Sequence, residues 1–246
     1  LLQGVYVADT EPNAGHGMAG IGIQTQCDTT SADCPTLTVS GSVVENNRAA
    51  GIMAVGTDLH VSDTVVRGTR PQQTDGRFGT GIVAQCDPSL VRCENFTGTC
   101  LLLEGNRQSG VAVAGGEADL LGLMVRDTEA QQSDDRAGYG AVIQCEQVTR
   151  LCASTVLTDS GFVGNTYAGL FLQGADLVLH GAYVGQTLPG AQADEEGLAL
   201  YAQCDTGSGG CPDLDIDATL FQQHRTEGIA MYGGTARMTR STVDSV

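Results

Sequence analysis

The sequence predicts an all-β solenoid of four 59-residue units, each made of two coils, giving about eight coils in a single domain over residues 1–246. Three observations predict it. A cysteine-bounded frame occurs four times, as CDTTSADC, CDPSLVRC, CEQVTRLC and CDTGSGGC, always 59 residues apart. Apolar and polar residues alternate in runs of three to five between turn residues, and no useful length keeps a helical period. Shifted by 59, the chain aligns with itself without a gap.

The inward positions follow from that alignment. Val44, Leu103, Phe162 and Phe221 share one column, and Ile52, Val111, Leu170 and Ile229 share another. Val39, Gly98, Leu157 and Ile216 form a third. One coil cannot close a core, but stacked coils bury such residues against their copies above and below. Each unit divides again. LTVSGSVVENN (37–47) matches LHVSDTVVRGT (59–69) at an offset of 22, so a unit is a short coil of 22 residues and a long coil of 37.

The long coil carries its additional residues in two places. One is an insert that opens on Thr and closes on Gly: TEPNAGHGMAG, TRPQQTDGRFG, TEAQQSDDRAG and TLPGAQADEEG. The other is the cysteine frame, which follows a strand such as GIVAQC. At the turn where the insert opens, short coils place Asn47, Asn106 and Asn165, with His224 last, and long coils place Thr69, Thr128 and Thr187. This alternation is expected to form a side-chain ladder, each turn bonding to the next coil.

The L-x-V-x-x-S-x-V-x-x-N runs and A-G-I segments resemble the right-handed parallel β-helix of the pectin-lyase-like superfamily, over the whole chain. Among such proteins the chain resembles the secreted, cysteine-containing repeat proteins of myxobacteria-like high-GC bacteria. The all-Arg, Ala- and Gly-rich composition agrees with that. A β-sandwich would not give a gapless period of this length. A propeller blade needs about 40–50 residues in four antiparallel strands.

Eight of the nine cysteines sit in the frames, and regular even pairing points to disulfides in an oxidising compartment. The pairs are Cys27 with Cys34, Cys86 with Cys93, Cys145 with Cys152 and Cys204 with Cys211. Zinc fits poorly, because C-x6-C lacks the closer spacing and second pair of a zinc site. Closing so short a loop is worth about 2–3 kcal/mol. Cys100 is left over and reads as a small buried apolar residue.

Composition narrows the function. All 12 basic residues are Arg, which excludes lysine Schiff-base chemistry, and the net charge of −17 argues against nucleic acid and anionic membranes as partners. No apolar run is long enough to span a membrane. LLQGVYVADT and RSTVDSV read as cuts through a longer solenoid without a signal peptide. The open coil ends are expected to stack on further coils or on another chain.

Enzymes of this fold that act on acidic polysaccharides need carboxylates clustered on one face. Here adjacent acids occur only in the inserts, and no catalytic residue is assigned. His16-Gly17 and His180-Gly181 match a polygalacturonase motif over two residues only. The frame acids Asp28, Asp87, Glu146 and Asp205 fall far short of the 6–8 oxygens calcium takes. They are expected to cap turns. No cofactor or metal is expected, calcium being the one ion that the acidic loops leave open. Asn95-Phe96-Thr97 is a glycosylation sequon, but it falls at the start of a predicted strand, with Phe96 inward.

Inserts of fixed length with variable middles look like a displayed surface on a rigid scaffold. Its candidate residues are Asp75, Arg77, Asp134, Asp135, Arg136, Asp194, Glu195 and Glu196. Solvated loop acids would vary as freely. The expected function is a non-catalytic extracellular or cell-surface protein, structural or adhesive, displaying loops on alternate coils. A polysaccharide or another surface protein would be its partner. The alternatives are a polysaccharide lyase, hydrolase or epimerase, and a calcium-dependent binding module.

Overall fold

The computed structural model describes residues 1–12, 19–93, 95–190 and 197–244. Within them every strand pairing is parallel, and there is no helix. The chain is a parallel β-helix with three strand columns per coil. The first column contains strands such as Leu37–Ser40 and Leu59–Ser62, the second Val43–Glu45 and Val65–Arg67, and the third Ala50–Val55 and Thr80–Gln85. The first column has nine levels and the third has eight.

Register alternates as the sequence predicts. Leu37 pairs with Leu59, 22 residues on, and Leu59 with Phe96, 37 residues on. Inward side chains therefore meet their own copies. Val39, Val44, Ile52, Leu103, Phe162, Leu170 and Phe221 are all buried, in one core cluster that runs from Ile23 to Phe221. Parallel strands set about 4.8 Å apart make this cluster a column rather than a ball.

Gly98 is the gap in its otherwise apolar column, and the structure shows what fills it. A Cβ there would lie 2.7 Å from Leu120 Cδ2 and 2.8 Å from Leu101 Cδ1. Leu101 and Leu123 stand where Ser42 and Thr64 stand one unit earlier, and both leucines are buried. At these two levels the first and second columns run on as single strands, Asn95–Glu104 and Glu117–Arg126. At most other levels a hydroxyl bonds the corner instead: Ser42 accepts from the Val5 N–H at 3.2 Å and Thr64 donates to the Ser62 carbonyl at 2.7 Å.

The corner between the first two columns turns on one left-handed residue per coil. Gly41, Asp63, Gly122 and Asp159 hold it at φ between 49° and 66°. Gly, Asp and Asn tolerate this conformation best. Cys100 occupies the same corner, at φ 52°, and is exposed. The expectation of a buried Cys100 is thereby corrected: its neighbours Thr99 and Leu101 continue the alternation, and the corner residue itself lies outside it.

The turn ladder has a more specific form than simple alternation. Asn47, Asn106 and Asn165 each accept from the backbone N–H of the preceding coil's Thr10, Thr69 and Thr128, at 3.0, 3.0 and 3.2 Å. Their Nδ2 atoms donate back to the Val7, Val66 and Val125 carbonyls of that coil. The Thr69 and Thr128 hydroxyls are buried without a hydrogen-bond partner. The Asn side chain does the bonding, and the Thr contributes its backbone.

Candidate binding face

Both decorations of a long coil flank the same strand of the third column. The insert precedes it and the cysteine loop follows it, so everything that departs from the bare solenoid borders one face.

The four disulfides are formed, each within its own coil: Cys27–Cys34, Cys86–Cys93, Cys145–Cys152 and Cys204–Cys211. The frame acids fold these loops back on themselves. Asp28 accepts from the Thr30 N–H at 2.8 Å, Asp87 from Ser89 at 2.8 Å, Glu146 from Val148 at 2.9 Å and Asp205 from Ser208 at 2.6 Å. The Thr30 and Ser31 bonds hold the Asp28 carboxyl below its usual range, and the Ser208 bonds do the same for Asp205. Burial pushes Glu146 up, but the Thr149 and Val148 amides outweigh it and leave the carboxyl low. Asp205 also accepts from Gln173 Nε2 at 2.8 Å, which ties a cysteine loop to the face beside it.

Each insert is anchored at its closing glycine. Gly79 sits at φ 104°, and a Cβ on it would lie 2.5 Å from the Arg107 Cβ of the coil above. Neither the conformation nor the space admits a side chain. The second and third inserts touch: the Gln132 and Ser133 amides both donate to the Gly76 carbonyl, at 3.1 and 3.0 Å. The insert acids turn onto their own loops. Asp75 accepts from the Arg77 N–H at 3.0 Å, and Asp134 from Gln131 Nε2 and the Arg136 N–H. Burial raises the Asp134 carboxyl, and those bonds more than reverse it. Asp135 lies in a left-handed turn at φ 56°. Asp194, Glu195 and Glu196 lie outside the described residues, as does His16.

Between these borders lies a surface that the insert motifs do not disclose. In register, one outward file of the third column runs Gln24, Met53, Val83, Ala112, Val142, Phe171, Tyr201 and Ala230. The other runs Gln26, Val55, Gln85, Ala114, Gln144, Gln173, Gln203 and Tyr232. Neither file holds a charged residue. The outer face of the first column, by contrast, carries Asp119, Asp215, Asp217 and Arg237. The signal was present in the sequence as the outward position of G-I-x-A, which is never Asp, Glu or Arg.

The two halves of the charge-free face differ. Toward the N-terminal half, Met53, Val83 and Gln85 floor a hollow of about 300 Å³, with Phe78 and Gln72 of an insert as its wall. Toward the C-terminal half the aromatics form a ridge. Phe171 stacks on Tyr201 with ring centroids 5.5 Å apart, Tyr139 lies 4.8 Å from Phe171, and Tyr232 lies 5.4 Å from Tyr201.

A second hollow, of about 360 Å³, lies on the first column between Asn95, Thr97, Glu117, Asp119 and Ser154, with two carboxylates in its lining. Among the described residues no group of three or more His, Cys, Asp or Glu side chains is placed to hold a metal ion. Among them, also, no helix is long and apolar enough to cross a membrane. No protein-family model matches the chain, and neither a curated protein nor a solved structure matches it.

Proposed function

We propose that the chain is a non-catalytic extracellular or cell-surface rod, structural or adhesive, that holds loops at fixed heights on alternate coils. In this reading it is a pectin-lyase-like solenoid, secreted, of the kind high-GC bacteria export. One observation carries the proposal: each insert and each cysteine loop is pinned at its base, and all of them border a single face. An Asp or Glu cap closes each described cysteine loop. Disulfides belong to an oxidising environment, and the four bridges suit one outside the cell. Functional contacts concentrate on loops that a rigid scaffold positions. The partner is a polysaccharide or another surface protein, not nucleic acid.

The hollow between Glu117 and Asp119 favours one competing reading, a lyase, hydrolase or epimerase acting on polysaccharide. Thermal melts with and without reductant, each with and without millimolar calcium, beside a screen of acidic polysaccharides, separate the readings. The rod is expected to lose stability on reduction, to ignore calcium and to leave every polysaccharide intact. New reducing or unsaturated ends, abolished by Asp119→Asn, would replace the rod by the enzyme. A calcium-dependent rise in melting temperature, reversed by chelator, would replace it by a calcium-dependent binding module.

A further inference from the structure

The charge-free face is an anomaly in a chain of net charge −17. It has the composition of the centre of a protein–protein interface: charge is depleted, and Met, Phe and Tyr are present. Eight levels about 4.8 Å apart, crossed by strands about 20 Å long, give about 750 Å². A standard interface takes about 800 Å² from each partner. Tyr232, at 61% exposure, lies uncovered on it.

We propose that this face pairs two copies of the chain, face to face and antiparallel, about a two-fold axis that runs along the strand direction between the fourth and fifth levels. Two features select that occupant and that orientation. The first is the unlike halves. The axis sets Met53 opposite Tyr201, Val83 opposite Phe171 and Ala112 opposite Val142, so the aromatic ridge of each copy enters the hollow of the other. A two-fold interface has to be self-complementary in this way. The second is the alternation of coils. Any such axis between a long and a short coil sets every decorated level against a bare one. Inserts then interleave with inserts, and cysteine loops with cysteine loops, instead of colliding. Pairing the rods in parallel would set hollow on hollow and ridge on ridge.

The like charges of the two copies are confined to the rims and to the outer faces, so the pair tightens with salt. Sedimentation equilibrium of the purified, oxidised chain, at about 50 and about 500 mM salt, reads this directly. The expected result is a dimer with the lower dissociation constant at high salt. Val142→Glu brings two carboxylates together near the axis and is expected to weaken the dimer about 100-fold, with the circular dichroism and melting temperature of the monomer retained. Val178→Glu, on the outer face of the first column, is expected to leave it intact. Mixing Val142→Glu with Ala112→Arg is expected to restore association as a heterodimer, because residue 142 of one copy faces residue 112 of the other. A monomer at every concentration would overturn the proposal, as would a dimer indifferent to Val142→Glu. Capture of a neutral glycan or an unrelated protein by a monomeric chain through this face would overturn it too. None of these outcomes decides whether the rod is catalytic, so this proposal and the preceding one fail separately.

Discussion

Asn165 and His224 occupy the same turn one unit apart, and they treat the coil below differently. Asn165 reaches down with both ends of its amide, accepting from the Thr128 N–H at 3.2 Å and donating to the Val125 carbonyl. His224 sits in the same buried position with its Nδ1 3.2 Å from the Thr187 hydroxyl; the Val184 carbonyl acts on its ring, but its Nε2 makes no well-formed hydrogen bond. A side-chain amide offers acceptor and donors on one fork, whereas a neutral imidazole offers one donor and one acceptor across a ring. The difference teaches that the ladder depends on fork geometry rather than on polarity. It also makes the His224 level the weaker of these two joints.

The largest expected effect comes from breaking the strong level. Asn165→Leu leaves the buried Thr128 N–H without its acceptor, removes a donor from the Val125 carbonyl, and is expected to cost about 2 kcal/mol. Urea unfolding measures it. A loss under about 1 kcal/mol would mean that water replaces the fork. Next is repair of the weak level. His224→Asn is expected to gain about 1 kcal/mol near neutral pH, with amide exchange in the last two coils slowed. An unchanged or lower stability would show that the imidazole packs better than it bonds.

Acid sharpens the same comparison. Burial holds the His224 imidazole below the ordinary histidine value, while the Val184 carbonyl pulls it back upward. The unfolded chain therefore takes up a proton near pH 6.5 before the folded chain does. Stability is fully present above that value and is lost as the pH falls toward the folded value. The gap between wild type and His224→Asn is expected to widen from pH 7 to pH 5. A constant gap would place the imidazole in contact with water. The smallest effect belongs to the threonine levels. Thr128→Val removes a buried hydroxyl that bonds nothing and is expected to change stability by about 0.5 kcal/mol or less, in the stabilising direction. A loss above about 1 kcal/mol would reveal a water on that hydroxyl.

Period and columns were legible because stacking forces identical environments on residues 59 apart; Phe162 and Phe221 could be placed inward by alignment alone. Gly98 was legible only as a gap. Its explanation is the side chain of Leu101, three residues on, and a column of letters does not show which neighbour leans into a space. Cys100 was misplaced for a related reason: residue type suggested burial, whereas its column contains Gly41 and Asp159, both corner residues. The insert acids were chosen for charge, and Asp75 and Asp134 proved to bond their own loops. The face between the loops was overlooked because an outward Met, Val or Tyr carries no motif. What distinguishes it is the absence of charge across eight levels, a property of the sheet and not of any one residue.

The disulfides close within single coils and tie no coil to another, which has a mechanical consequence. A rod pulled apart from its two ends is stapled nowhere along its length. Levels would peel away in sequence, each releasing its chain as the ladder bonds above it give way. Each bridge withholds only the span between its two cysteines, a sequence separation of seven, or about 25 Å of contour. Oxidation stiffens the excursions and leaves the shaft free to unreel.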